Sequence, residues 1–284
     1  MGRLISEEER AFLEQYDDSA YPHPSVATDI AIFSVFDEAV DNYRKLPERR
    51  LKILLIKRGG HPYKGCYALP GGFARPKESL DECARRELLE ETHVDCDFLQ
   101  QLRTFSEPGR DPRGWIISAS YLALVDSTKF HIEGGDDAQE ALWFDISLEK
   151  EADGKRKLTL SNDGTTMVSW LRNTDSQSRA AGPCEIVEQD DMLSFDHAKI
   201  ICCALLQLRE WIGNSHIAFR LLPEHFTLTQ LQQVHEAVCG VKLLAPAFRR
   251  KIGAYVQETG ETTSEDGHRP AKLYREIGRE ETIE

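Results

Sequence analysis

Three glutamates set the first chemical constraint on this chain. Glu87, Glu90 and Glu91 stand at i, i+3 and i+4 within the run Ser79 to Val94. In a helix that advances about 100° per residue they share one arc of about 120° with Leu80, Cys83 and Ala84. The stripe expected to face the core therefore starts apolar and turns acidic. Like charges so spaced repel by a few tenths of a kcal/mol per pair on an exposed surface, and by more where water is excluded. A bound cation removes the conflict, and hard divalent ions such as Mg²⁺ prefer carboxylate and carbonyl oxygen together with substrate phosphate. Just upstream, the Gly71-Gly72 turn lets a backbone carbonyl approach such an ion with no Cβ in the way. Glu78 and Arg86 lie off the arc, carry opposite charges, and are suited to brace the loop against the helix. For three carboxylates alone, an ordinary solvated helix rich in Glu is the competing reading.

The elements that must hold these groups can be read on either side. Ser6-Glu7-Glu8-Glu9 is a capping-box pattern opening a short charged helix to about Tyr16. After the break at Tyr21-Pro22-His23-Pro24, Ile30 to Phe36 and Leu51 to Ile56 read as buried strands by their β-branched and aromatic content, with the polar stretch 37–50 as the excursion between them. Tyr67-Ala68-Leu69 is a further strand, and Ser79 or a neighbour caps the acidic helix. Leu99 to Phe105 and Trp115 to Val125 alternate as strands. The loop 106–114 between them holds two prolines with Arg110 and Arg113, placing cations of phosphate-binding geometry on a stiffened loop, or else forming a solvated turn. The 134–140 loop is acidic and precedes the strand-like Ala141 to Phe144. Its Glu140 can supply a metal contact or a base, or can be a turn residue only.

Gly72, Glu78 and the run Arg86-Glu87-Leu88-Leu89-Glu90-Glu91-Thr92-His93-Val94 resemble the Nudix box, the signature of hydrolases acting on nucleoside diphosphates linked to another group. The box departs at His93, where the family usually has the Gly that ends the helix in a left-handed conformation. The resemblance implies an α/β (α+β) fold, a Nudix α/β/α sandwich, with Gly71, Gly72, Glu78 and Arg86 supporting the box. Glu87, Glu90 and Glu91 would hold Mg²⁺ or Mn²⁺, and Glu87 or Glu140 would take a proton from the attacking water. Arg103, Arg110 and Arg113 are the candidates for phosphate or ribose contacts.

With 284 residues, 40% hydrophobic and 29% charged, the chain has the material for one large or two ordinary domains. A net charge of -13 argues against a protein that simply coats nucleic acid or an anionic membrane. The charge is unevenly spread: residues 240–275 hold seven lysines and arginines against four acids. Seven cysteines without metal-type or disulfide-type spacing, and no long apolar run, fit a cytoplasmic protein with no zinc site and no membrane span.

From Leu148 to Met192 the composition shifts. Lys155 to Leu160 and Thr165 to Leu171 read as a hairpin around an Asp-Gly turn, followed by the linker 173–182. Asp196 caps a helix carrying Ala198, Ile201, Leu205, Leu208 and Ile212 on one face, and His197 beside the cap reads as structural. Further on, Thr227 or Thr229 begins a helix with Leu231, Val234 and Val238 in phase, stopped by Gly240. A second helix reads from Ala245 to about Gln257, with Arg249, Arg250 and Lys251 around its first turns, and a basic turn and strand follow with His268, Arg269 and Lys272. Two helices and a basic hairpin make a winged helix-turn-helix layout; a small packing or dimerisation module is the alternative.

Leu221-Leu222-Pro223, Phe226 to Thr229, Phe248 to Ile252 and Gly267 to Tyr274, joined to a Nudix box, resemble the Nudix-related transcriptional regulators. The resemblance implies residues 1–28 as lead-in, 29–212 as the Nudix domain with 148–192 as an insertion, and 213–284 as the winged helix. It also implies a homodimer that binds operator DNA and an ADP-ribose-like nucleotide. The Nudix half either cleaves ADP-ribose to AMP and ribose 5-phosphate, or senses such a nucleotide without cleaving it. A sugar nucleotide is the rival substrate.

Overall fold

The structure, a computed structural model, describes residues 6–38, 47–92, 96, 98–129, 141–173, 184–214, 216–263 and 270–278. In chain order the elements are α1 (Glu7–Gln15), β1 (Ser25–Asp37), β2 (Arg49–Lys57), β3 (Tyr67–Ala68), β4 (Gly71–Phe73), α2 (Leu80–Thr92), β5 (Phe98–Phe105), β6 (Ile116–Leu124) and β7 (Ala141–Lys150). They continue with β8 (Arg156–Ser161), β9 (Thr166–Asn173), β10 (Cys184–Glu188), α3 (His197–Asn214), α4 (Leu228–Cys239), α5 (Ala245–Ile252), β11 (Val256–Thr262) and β12 (Lys272–Glu276). As expected from sequence, Ser6 closes a reciprocal capping box at the start of α1.

One mixed sheet runs in the order β10-β9-β8-β7-β2-β1-β6-β5, with β3 paired to β2 and β4 to β1. Its centre is β1, parallel to β6 and antiparallel to β2. The run Ile30 to Val35 is continuous rather than alternating because both faces of this strand are covered. Ala31, Phe33 and Val35 join the core shared with α3, whereas Ile30 and Ile32 join Ala84 and Leu88 of α2 on the other face. A sheet between helices follows directly.

Four sequence expectations change. Gly71 and Gly72 belong to β4, paired with Thr28 and Asp29, instead of a turn. Gly71 has φ +153 and lies so close to β1 that a Cβ would stand 2.0 Å from the Thr28 carbonyl oxygen. The stretch 148–192 is no separate insertion: β7 to β10 are hydrogen-bonded in sequence and simply extend the main sheet. A boundary between residues 212 and 213 falls inside α3, and one hydrophobic cluster runs from Phe33 through Leu205 to Val234 and Phe248. The second C-terminal helix stops at Ile252. Val256 keeps helical phase with Ile252 but opens β11, because pairing with β12 captures the chain after Gly253.

The rest of the C-terminal part follows its signals. Thr227 forms a capping box with Gln230 at the start of α4, and Gly240 ends it in the left-handed conformation with φ 71. Phe226 bridges to Tyr274, tying the hairpin β11-β12 back to the helices. The segments 134–140, including Glu140, and 174–182 lie outside the described residues, as do His93, His268 and Arg269.

Candidate functional site

Helix α2 starts at a reciprocal cap, in which Ser79 Oγ accepts the Glu82 N–H at 3.2 Å and Glu82 Oε2 accepts the Ser79 N–H at 2.7 Å. It buries Cys83, Ala84, Leu88 and Thr92. The three glutamates on this arc differ in depth. Glu91 is pushed up to about 7 by burial, and the charges of Glu87 and Asp29 add to this against a hydrogen bond from the Gly71 N–H to its Oε2 at 2.7 Å. The Glu87 side chain is 12% exposed and that of Glu90 49%. Gly72 is required where it stands, since a Cβ there would meet a Glu87 carboxylate oxygen at 2.4 Å.

Arg86 is the hub of the box. Its Nε and Nη2 donate to Glu78 at 3.0 and 2.7 Å, which holds that carboxyl at about 2, and its Nη1 donates to Glu87 and, at 3.1 Å, to Glu90. The bracing expected of Glu78 and Arg86 is present, extended to two of the three glutamates. Arg75 reaches Glu90 as well, at 3.2 Å. Among the described residues no three acidic, histidine or cysteine side chains converge in metal-binding geometry. The donors nonetheless fit a hard divalent ion: the site offers carboxylate oxygens, and burial first, then the charges of Glu87 and Asp29, raise the Glu91 carboxyl, a penalty that a bound cation would offset.

Beside Glu91 opens a cleft of about 260 Å³, lined among others by Asp29, Arg58, Gly71, Gly72, Arg110, Arg113 and His197. Asp29 organises its floor. Burial acts to raise this carboxyl, but His197, Arg110 and Ser118 together outweigh burial and hold it at about 2. His197, read from sequence as structural, is buried and hydrogen-bonded, and it also lines the cleft. Its Nδ1 accepts the Leu69 N–H at 2.9 Å, which leaves the ring proton to Nε2, 3.5 Å from Asp29 Oδ1. Asp196 does more than open α3: its carboxylate accepts Arg110 Nε at 3.1 Å and Nη2 at 2.7 Å. The first residues of α3 are thereby fastened to the cleft.

The arginines divide into three kinds. Arg110 is 5% exposed and committed to Asp196 and Asp29. Arg113 is bound by Asp111, at 2.7 Å for the closest pair, and lies 5.0 Å from the Phe73 ring and 5.3 Å from the Phe195 ring. Arg103 does not line the cleft. A register shift between Gln101 and Arg103 puts it on the face of Phe105, towards α3, where its charge acts on Cys203. Arg58, which directly follows β2, is in the cleft, its guanidinium 4.9 Å from the Phe195 ring. Burial first, and then the like charge of Arg113, depress its pKa against the opposing charges of Asp111, Glu91 and Asp29.

In the C-terminal part, Arg249, Arg250 and Lys251 stand in the last turn of α5, not around its first turns, because the helix has only eight residues. Arg249 and Arg250 are exposed. Lys251 Nζ donates to the Gly213 carbonyl at 2.9 Å, and Lys272 pairs with Glu258 across the hairpin at 2.8 Å. No helix among the described residues is long and apolar enough to cross a membrane.

Comparison with known proteins agrees with both halves. Residues 36–161 match the NUDIX domain, and residues 218–275 match the NrtR DNA-binding winged helix domain. The chain is 32% identical over 277 residues to an ADPR responsive transcriptional repressor NtrR of Acinetobacter baylyi, covering 96% of this chain and 90% of that one. It is 40% identical over 127 residues to an ADP-ribose pyrophosphatase of Methanocaldococcus jannaschii, covering 45% of this chain and 65% of the relative. The crystal structure of Shewanella oneidensis NrtR complexed with a 27mer DNA superposes with a TM-score of 0.61 at 27% identity, covering 88% of this chain and 93% of that one.

Proposed function

The chain belongs to the NrtR family of Nudix-related transcriptional regulators, and on that premise we propose that it is a homodimeric repressor whose Nudix half binds and hydrolyses ADP-ribose. The observation that carries this reading is the cleft that sets Glu91 and the Gly71-Gly72 strand opposite Arg58, with Asp196 and His197 of α3 at its edge. Arg58 is the cation that meets a phosphate without breaking an internal ion pair, and Arg113 presents its guanidinium beside two aromatic rings. Glu87, Glu90 and Glu91 are the residues that would hold Mg²⁺ or Mn²⁺. Such an ion, when bound, neutralises charge on the bridging phosphates and activates water. Glu87 or Glu140 takes the proton as water attacks a phosphorus, the anhydride bond breaks, and AMP and ribose 5-phosphate leave. In the other half, Arg249 and Arg250 on α5 would contact operator DNA together with His268, Arg269 and Lys272.

One observation favours a second reading, ligand sensing without turnover: Arg86 and Arg75 already neutralise Glu87 and Glu90 from within the chain. A panel of ADP-ribose, NAD and sugar nucleotides, scored with Mg²⁺ for both turnover and binding, separates the two. Turnover of ADP-ribose that disappears in Glu90→Gln and Glu91→Gln, with binding retained, is the expected result. Binding without turnover in the wild type establishes the sensor, and wild-type turnover in both variants removes the box helix from the chemistry.

A further inference from the structure

The winged-helix part contains a cavity of about 570 Å³, within the range of small-molecule sites, between the end of α3, α4 and α5. Its walls are largely apolar, with Ile212 from α3, Phe219 from the turn that follows, and Phe248 and Ile252 from α5. The polar side chains that line it are His216, His235 and Lys251, with the Tyr255 hydroxyl and the Cys239 thiol. His235 is 8% exposed, and its Nε2 has no hydrogen-bond partner among the described residues. Burying an imidazole nitrogen unpaired is costly, and a ligand group that pairs with it recovers that cost. Lys251 stands at the rim, its ammonium resting on the Gly213 carbonyl. The Glu276 carboxylate is already engaged by His216 at 2.9 Å, and among the described residues no carboxylate lines the cavity. An apolar chamber with one ammonium that no carboxylate pairs among the described residues, and an unpaired ring nitrogen, is complementary to a molecule with an apolar body and a single negative head.

We propose that this cavity is a second small-molecule site, for an amphipathic monoanion such as an aryl-substituted or medium-chain carboxylic acid, whose body packs on Phe219 and Phe248 and whose carboxylate meets Lys251 and His235. The site is separate from the Nudix cleft. His197 and Ile212 are fifteen residues apart on α3, which places the two about 22 Å from each other along the helix axis. Burial, reinforced by Lys251, lowers His235 to about 4, so at neutral pH the ring is uncharged and offers one donor and one acceptor. An occupant would take Lys251 from Gly213 and bear on α5 directly.

The test uses the full chain with 4-phenylbutyrate and decanoate as probes, their primary amides as controls, calorimetry for affinity, and ring-proton NMR of His235 as a local readout that needs no variant. The expected result is saturable binding of one acid per chain with a shift of the His235 resonances, and amides weaker by about fivefold, the worth of one partly exposed charge contact. Lys251→Met should bring the acids down to the amides. Ala247→Phe, which fills the cavity from α5, should abolish binding while the far-ultraviolet circular dichroism stays that of the wild type. Acids that bind no better than amides, binding that leaves the His235 resonances unmoved, or full affinity in a folded Ala247→Phe protein would each overturn the proposal, as would no saturable binding.

Discussion

The two adjacent glycines of β4 answer to different constraints, and replacing each by alanine tests the geometry of the site. At Gly71 the new methyl carbon would stand 2.0 Å from the Thr28 carbonyl oxygen, and the residue would have to hold φ +153. The obstacle is backbone, so β4 must move off β1, loosening the pairs Ala27 with Phe73 and Thr28 with Gly72 and the bond from Ile30 N–H to the Pro70 carbonyl. Strain and overpacking of this kind cost roughly 2–4 kcal/mol together. At Gly72 the obstacle is instead the end of the Glu87 side chain, at 2.4 Å, which can swing aside. That swing breaks the contact of Glu87 with Arg86 and costs about 0.5–1.5 kcal/mol. It also displaces a carboxylate of the box by an ångström or more, enough to lower turnover by about 10²-fold. Thermal unfolding should therefore single out Gly71→Ala, while Mg²⁺-dependent turnover of ADP-ribose, or Mn²⁺ affinity by electron paramagnetic resonance, should single out Gly72→Ala. A Gly71→Ala protein that melts with the wild type, or a Gly72→Ala protein that melts lower yet binds Mn²⁺ normally, would refute the assignment of backbone to one glycine and carboxylate to the other.

Arg110→Met should destabilise the chain by about 3–5 kcal/mol in a denaturant titration, because it leaves Asp29 and Asp196, both largely buried, without their shared cation. In DNA-binding titrations Arg249→Ala or Arg250→Ala should each cost about 1–3 kcal/mol if the side chain reads a base, and should relax preference at that base; selection from random DNA that enriches nothing would leave α5 a packing helix. His235 supplies a pH test. Its folded pKa of about 4 lies below the ordinary 6.5, so the unfolded chain takes the proton first; the stability this neutral ring contributes is whole above about pH 6.5 and is lost as pH falls towards 4. The loss reaches about 3 kcal/mol at the lower limit, and His235→Phe should lack that component when the two pH profiles of unfolding are subtracted.

The parts of the fold that could be read from sequence are those whose signal is local. Ile30 to Val35 announced a strand buried on two faces, and Thr227 with Gly240 marked both ends of α4. The box spacing gave the helix, its cap and the Glu78–Arg86 brace. What escaped has its cause far along the chain. Asp29 is one carboxylate in front of an apolar run, and the groups that hold it, Arg110 and Ser118, are 81 and 89 residues away. His197 was unremarkable until Leu69, 128 residues before it, supplied its hydrogen bond. Arg103 failed as a site residue because one register shift in β5 reverses the face on which it emerges, and no local pattern predicts where a bulge falls.

These long-range ties bear on how the two halves can influence each other. A ligand changes DNA affinity only if it has different affinity for two arrangements of the chain, and whatever factor it takes from DNA binding, DNA must take from ligand binding. Helix α3 is placed to carry such a difference. Its first residues, Asp196 and His197, are fixed to the cleft through Arg110, Asp29 and Leu69, and its last turn receives Lys251 of α5 at the Gly213 carbonyl. Between these ends Arg209 donates to the Val238 carbonyl of α4 and to the Leu148 carbonyl of β7, so the helix is bonded to the sheet and to the winged helix at one residue. A phosphate at Arg58 and Arg113 would change the charge balance around Asp29 and Arg110, and the helix fastened to them could not shift without moving α4 or giving up Arg209. The same packed cluster joins the halves, so a shift of α3 at the cleft is also a shift against α4, and a ligand and DNA that favour different positions of this helix would be coupled through it.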